Sequence, residues 1–505
     1  MNLIYERPDY AAIAKRLGAL NEQILAAASF EPLHAAWLAA KAEIEAMEYR
    51  EEIVYVRHLC GLDYENSTEE VLLQSREDPA IYALRDRCNR NAMQSAFAPA
   101  LSRLYGAQVF ASLDEAIDRD SSDTLRLQTE ESVLKTEYRR LMKNRDRDED
   151  RLFEVFAALI ETRSALASCA GYGDYIELGY QKINRRDYGR DELARFRGQI
   201  QKTVTPFMAA IKKRGAEQIG LPARAGKPVE LIDEIRTMFH DLSEETGCFI
   251  DDVTQNEMYD LEIRENKCRP LWICCMFPKI KLPFVVGTFS GDGMDTGAAV
   301  HEFGHGFAFY TAARSQPLYE YHRASPAVNE IHSKAMEAFQ YPYLELFVGD
   351  RKRDYIRNHL LRELDNMAYR CAVDEFEHRL YSLPGRTRTQ ICALWAEISQ
   401  TYRPWVPIDL EAVSKGLCWP RQTHIVERPF YYIEYDIAQI CAWSLHRSMR
   451  ADRKKAWENY RKLCCAGGSK AFFELLAEAE LPNPFSEEVI AGICTAIAEE
   501  LEAVL

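Results

Sequence analysis

The run His301-Glu302-Phe303-Gly304-His305 sets two imidazoles four residues apart with a carboxylate between them. On a helix, positions i and i+4 share a face, so both rings can reach one ion. Glu302 lies about 100° round from His301. There it can touch the water that such an ion binds without ligating the ion. Zinc lowers the pKa of that water, and a carboxylate can take its proton as it attacks a carbonyl. Three fixed positions also occur by chance on ordinary helices, so a third ligand is required. Catalytic zinc has three protein ligands and one open position.

Glu330, 25 residues after His305, is the expected third ligand. Ser325 followed by Pro326 is a helix start, with Ser as N-cap and Pro as first helical residue. Glu330 then falls in the second turn of a new helix. Glu337, seven residues on, returns to the same face and is expected to orient His301 or His305 from behind. His332 is rotated about 200° from Glu330 and reads as a buried, hydrogen-bonded histidine. Two histidines and one glutamate favour zinc over cobalt or manganese, with one Zn2+ ion expected.

The elements that must position these residues are mostly helical. Ile13, Leu17, Leu20 and Ile24 form one apolar face. A second helix is expected over 31–47, and a stretch rich in helix formers runs over 125–166. The mixed charges of 143–151 read as a solvated face or turn. Gly171, Gly173 and Asp174 break the pattern, helix resumes over 190–214, and Gly220, Pro222, Gly226 and Pro228 mark a loop. The texture then changes. Residues 271–277 and 284–289 are apolar stretches around Pro278 and Pro283, and predict a short hairpin or small sheet. From Thr296 the chain is helical nearly to its end. Asp295 or Thr296 is the expected N-cap of the helix that carries the histidines. Gly304 and Gly306 inside that helix cost about 1 kcal/mol each relative to alanine, so a closely packed neighbour or space for a substrate is expected there.

The chain has 505 residues, beyond the size of one hydrophobic core, so two lobes or more are expected. We place an N-terminal helical lobe at 1–185 and a catalytic region at 186–505, with the C-terminal helices contributing to both. A net charge of −15 argues against nucleic acid as a partner. No apolar run is long enough to span a bilayer, so no membrane association is expected. The 14 cysteines are scattered without zinc-ribbon spacing, and the first residues lack the basic-then-apolar pattern of a signal peptide. The reading is a cytoplasmic protein with free thiols.

Together these motifs resemble the thimet oligopeptidase and oligoendopeptidase F family of zinc metallopeptidases, in particular its Pz-peptidase-like bacterial branch. His-Glu-Phe-Gly-His at 301–305 and Glu-Ile-His-Ser-Lys-Ala-Met-Glu at 330–337 match its two ligand motifs. A third match runs from His424 to Gln439. Tyr259-Asp260-Leu261, with Arg264 and Lys267, and 171–175 resemble further landmarks. The resemblance implies a mainly α, two-lobed helical fold with a small β-sheet next to the active-site helix and a deep substrate channel. It implies a zinc oligoendopeptidase that hydrolyses internal bonds of short unfolded peptides, with Glu302 as general base. It also implies that His424 and nearby tyrosines face the zinc and stabilise the oxyanion. Tyr435 and Tyr432 are ranked first as donors, since they share a face if that segment is helical; Tyr431 then points elsewhere. Two departures stand out. Cys268-Arg269-Pro270-Leu271-Trp272-Ile273 replaces a small, glycine-rich stretch, and the loop 424–431 lacks the glycines of the thimet branch.

Two rival readings remain. A helical zinc carboxypeptidase has a similar length and the same first motif, but would carry His-Glu-Ser where this chain has Asn329-Glu330-Ile331. A non-catalytic zinc-containing peptide-binding protein would have no need of Glu302.

Overall fold

The computed structural model describes residues 4–111, 113, 121–143, 148–221, 228–267 and 271–505. Residues 144–147 of the charged stretch, Pro222 and Gly226 of the expected loop, and Cys268-Arg269-Pro270 lie outside them.

The chain is mainly α. It opens with α1 (Tyr10–Ala26), α2 (Phe30–Leu59), α3 (Tyr64–Gln94) and α4 (Ala98–Tyr105). There follow α5 (Ser122–Lys143), α6 (Glu149–Cys169), α7 (Tyr175–Lys182), α8 (Arg190–Lys213), α9 (Pro228–Leu242) and α10 (Glu244–Gln255). Beyond the sheet come α11 (Asp295–Ser315), α12 (Pro326–Gln340), α13 (Leu344–Val348), α14 (Lys352–Ser382), α15 (Arg388–Tyr402), α16 (Leu410–Ser414), α17 (Thr423–Glu427) and α18 (Glu434–Ala451). The last helices are α19 (Arg453–Ala466), α20 (Phe472–Glu478) and α21 (Glu487–Val504). The helix expected over 31–47 is thus part of a longer one, and a short helix, α7, lies where only a break was expected. Asp174 starts α7, its carboxylate accepting the Ile176 N–H at 2.9 Å.

The expected hairpin is present. β1 (Tyr259–Asp260), β2 (Trp272–Phe277) and β3 (Leu282–Gly287) form one sheet in the order β1-β3-β2. β3 is central, parallel to β1 and antiparallel to β2, with Cys274 opposite Val285. All six residues of β3 are buried, while β2 is half-buried, with no strand beyond it among the described residues. Trp272 lies across Gly287, where a Cβ would stand 2.3 Å from the indole. The sheet packs on α11, and α12 packs between α11 and α18.

Two large apolar cores hold these elements, beside a third, minor cluster of Tyr341, Leu344 and Tyr355. The smaller joins α1–α4 with Leu318 and Tyr321 from the segment after α11. The larger starts at Ile53 in α2, takes in the sheet and most later helices, and ends at Leu501.

Gly304 shows why the active helix tolerates glycine. A Cβ there would stand 2.8 Å from Met336 Cβ and 2.9 Å from Ser333 Cα, both on α12. Backbone and first side-chain carbons cannot turn aside, so the two helices touch at this point. Helix propensity alone would make Gly304→Ala stabilising by about 1 kcal/mol. We expect the opposite, a loss of about 1–3 kcal/mol from overpacking, measured by denaturant unfolding. A gain in stability would show that α12 can move away freely.

Candidate active site

The site forms where α11, α12 and the segment 424–435 meet. Neither expected N-cap starts α11. Met294 occupies the cap without a side-chain bond. The Asp295 carboxylate instead accepts the N–H and Oγ–H of Ser290, at 2.6 and 2.8 Å, and Thr296 donates back to the Gly293 carbonyl at 2.8 Å. Both side chains fix the entering loop. Ser325 is the N-cap residue of α12, but its hydroxyl makes no cap bond. Asn329 does the work of holding the turn, accepting the Ala324 N–H at 3.1 Å and donating to the Ala324 carbonyl at 3.0 Å.

His301 and His305, one helical turn apart, stand with ring centroids 4.8 Å apart and planes at 85°. Glu330 enters from α12. Its Oε2 lies 3.4 Å from His301 Nε2 and 3.5 Å from His305 Nε2. One ligand atom from each of the three residues can thus be drawn within 4.8 Å of the others. Two imidazole nitrogens and one carboxylate oxygen, half-buried to buried, are a donor set that fits zinc. Glu302 is 8% exposed and lies beside the three. Burial raises its pKa, His301 and His305 oppose that rise, and Glu330 adds to it; the backbone amide of Cys274 in β2 also acts on this carboxylate.

Behind His301, Nδ1 donates to Glu337 Oε1 at 2.7 Å, so Nε2 is left to face the site. Burial works against charge on this ring, but Glu330 and Glu337 carry its pKa up to about 10. The other Glu337 oxygen, Oε2, bonds His359 Nε2 at 2.7 Å, and His359 Nδ1 bonds the Tyr341 hydroxyl at 2.7 Å. His359 and Tyr341 were not singled out from the sequence. His359 sits on α14, 22 residues from Glu337, with no local spacing to announce it. Glu337, His359 and Glu363 form a second group of metal-ligating type. There the Lys334 ammonium already supplies the cation, 2.9 Å from Glu363 and 3.4 Å from Glu337.

His332 is buried, as expected, and burial lowers its pKa to about 3. One ring nitrogen bonds backbone at Leu463, while Nε2 has no partner among the described residues.

The segment 424–435 departs from the expected helix. Pro429 and Phe430, at φ +68°, separate α17 from α18. Residues 431–433 therefore do not follow helical spacing, and Tyr431 is turned into the site. Its hydroxyl donates to Glu330 Oε1 at 2.6 Å. The expectation that Tyr431 points elsewhere is corrected. The Pro in this segment was the available signal, since a residue before proline is pushed out of the helical region. Tyr435 lies in the same aromatic cluster, 5.7 Å from the Tyr431 and His424 rings. Burial, then Glu330 and Glu302, push its hydroxyl pKa well up. Tyr432 stacks on His424 at 4.6 Å and is held by Arg370. His424 Nδ1 accepts from the Gln422 amide at 2.7 Å. With that nitrogen accepting, the ring's proton sits on Nε2. Burial lowers the His424 pKa to about 4, so the ring is neutral at physiological pH.

Residues 1–118 match the peptidase M3 N-terminal domain, and residues 250–494 match peptidase family M3. The chain belongs to peptidase family M3. No curated protein matches it by sequence. Among solved structures, it is similar to a Pz peptidase A determined with an inhibitor, at 26% identity and a TM-score of 0.91, covering 99% of each chain. A structure described as an oligoendopeptidase F is 27% identical, with a TM-score of 0.91, over 99% of this chain and 98% of the other. Another such structure, from Bacillus anthracis, shares the fold at 24% identity and a TM-score of 0.88, with 99% and 98% covered. The M3 chain described here is thus a metallopeptidase with an oligoendopeptidase F-like fold. No helix among its described residues is long and apolar enough to cross a membrane.

The Tyr431 contact generates a prediction. Tyr431→Phe removes the donor to Glu330 Oε1. Loss of such a supporting bond is expected to weaken zinc binding by roughly 10-fold, measured by competition with a chelator. Unchanged affinity would show that the contact does not support Glu330.

Proposed function

We propose that this chain is a zinc oligoendopeptidase that hydrolyses internal bonds of short unfolded peptides. The observation that carries the reading is the convergence of His301 Nε2, His305 Nε2 and Glu330 Oε2 beside the buried Glu302. Those three atoms would hold the ion. When bound, zinc supplies Lewis acidity that brings water to a pKa of about 7.

Glu302 is the general base. It takes the proton of the attacking water and hands it to the departing amine. Its burial makes it a better base than a carboxylate in water. The Glu337 carboxylate fixes the His301 ring, and Tyr431 fixes Glu330. As the carbonyl oxygen gains charge, Tyr435 and the Nε2–H of His424 are the neutral donors on hand, with Tyr432 packed against them. One well-placed donor of this kind is worth roughly 3 kcal/mol. The outer edge of β2, which no strand pairs among the described residues, offers backbone groups to an extended peptide, giving affinity with little side-chain selection. Internal cleavage, rather than trimming from the C-terminus, is supported by similarity to the Pz peptidase and oligoendopeptidase F structures. We place the protein in the cytoplasm, with short peptides as partners.

The test is cleavage of an internally quenched peptide of about ten residues, blocked at both ends, which spans roughly 33 Å when extended. Wild type should cut it internally, lose activity to a chelator and recover it with zinc. Glu302→Gln should keep its zinc and lose 10²–10⁴-fold in kcat, the usual order for a proton-transfer group. Cleavage only after the C-terminus is freed would replace this reading with a carboxypeptidase. A separate variant addresses the oxyanion. Tyr435→Phe should lower kcat more than it raises KM, and a pure KM effect would assign Tyr435 to ground-state binding instead.

A further inference from the structure

His424 rides on α17, a helix of only five residues. A single turn does not hold itself together, because nucleation is unfavourable and few internal bonds are made. Its last carbonyls also have no partner within the helix. The position of His424 is therefore set by whatever binds the ends of this turn.

The binder is Arg163, from α6. Its side chain is fully buried. Nη1 donates to the Ile425 carbonyl at 3.2 Å and Nη2 to the Val426 carbonyl. Nη1 also donates to the Tyr381 hydroxyl at 2.9 Å, and Nε donates to Glu131 at 2.8 Å. A cation at the C-terminal end of a helix is favourable, and more so when buried. Arg139 of α5 reaches the same turn through Glu427, at 2.6 and 2.9 Å. That pair is partly exposed, so it contributes little. Further along, Arg185 donates to the Phe430 carbonyl and to Glu434, with both side chains buried. Phe430 holds a left-handed backbone, which needs such outside support.

We propose that Arg163 is a positioning residue for the M3 reaction, setting His424, and through the stacked rings Tyr431, in place relative to Glu330. This inference rests on the zinc peptidase reading above. The ring of His424 lies 6.0 Å from that of Tyr431, nearly parallel to it, so a shift of α17 moves both. Lysine cannot replace this arginine. A single ammonium cannot span two carbonyls, a carboxylate and a hydroxyl as a planar fork does.

The experiment uses zinc-loaded full-length protein with the blocked quenched peptide. Arg163→Lys is expected to lower kcat 10-fold or more, change KM less than threefold and weaken zinc binding by no more than the roughly 10-fold expected of Tyr431→Phe. The same substitution on a His424→Gln background should cost less than threefold, because the group through which Arg163 acts is already gone. An equal loss in both backgrounds would reduce Arg163 to a structural residue and overturn the proposal, as would unchanged kcat in the single variant. Arg163→Met serves if the lysine variant folds poorly, since Lys182 still neutralises Glu131. Hydrogen exchange gives a readout that needs no activity. Amides 423–434 should exchange at least 10-fold faster in either variant, with those of 295–340 unchanged. If wild type fails to cleave, the peptidase reading fails, but the exchange result still decides the role of Arg163: no change over 423–434 overturns it.

Discussion

Everything in the site depends on how closely α11 and α12 approach each other. The carboxylate of Glu330 must meet two imidazoles that project from a neighbouring helix, and a glutamate side chain has limited reach. Gly304 lies one residue before His305 and makes the approach possible, with Ser333 Cα and Met336 Cβ occupying the space its side chain would fill. The helix gives up intrinsic stability at this point, and the packing of α12 against α18 on its other side keeps the contact closed. Gly306 is less tightly enclosed, against Phe249 and Pro283 at 3.1 Å, which seats the same helix on the sheet.

A contact this close between polar helices buries charge, and buried charge is costly unless paired. The molecule meets that cost by a continuous set of pairs rather than by isolated ones. His301 pairs with Glu337, Glu337 with His359 and Lys334, Lys334 with Glu363, Glu363 with Arg370, and Arg370 with Asp436 of α18. This path leads from one of the proposed ligands to the helix that carries Tyr435. Arg370 also lies 5.3 Å from the Tyr435 ring. It explains why Glu337, His359 and Glu363 have the look of a second metal site without being an open one. Lys334 already sits among those donors, as a cation that needs no import.

The parts of the site legible in sequence are those with a local period. The spacing of His301, Glu302 and His305 and the helix start at Ser325-Pro326 each follow from a few consecutive residues, and so does the hairpin around Pro278. Glu337 was accessible because seven residues bring a helix back to one face. His359 and Arg163 were not, since each reaches the site from a helix remote in sequence and neither sits in a pattern. Tyr431 was misplaced for a different reason. Helical spacing was carried across Pro429, where the backbone leaves the helix and Phe430 turns left-handed. One residue of irregular backbone rotates every following side chain, and the resemblance of the motif gave no register within it. The N-cap of α11 failed on similar grounds: Asp295 and Thr296 are capping types, but their side chains bond the loop before the helix, not its amides.

The strand β2 borders this polar machinery on the sheet side. Its one paired edge faces β3, and the backbone amide of Cys274 acts on the Glu302 carboxylate. In the proposed reaction the same strand would therefore take the peptide backbone and steady the base. A peptide that adds to an edge strand inherits that strand's register. Since the carbonyl to be attacked must lie within about 3.5 Å of its nucleophile, a common frame for base and substrate removes one source of misalignment. Trp272 packs across the strands over Gly287, and the buried β3 anchors the sheet on α11. α11, Glu302 and β2 thus share one packed frame, and the segment 424–435, held by Arg163 of α6 and by Arg185 after α7, joins it through the bond from Tyr431 to Glu330.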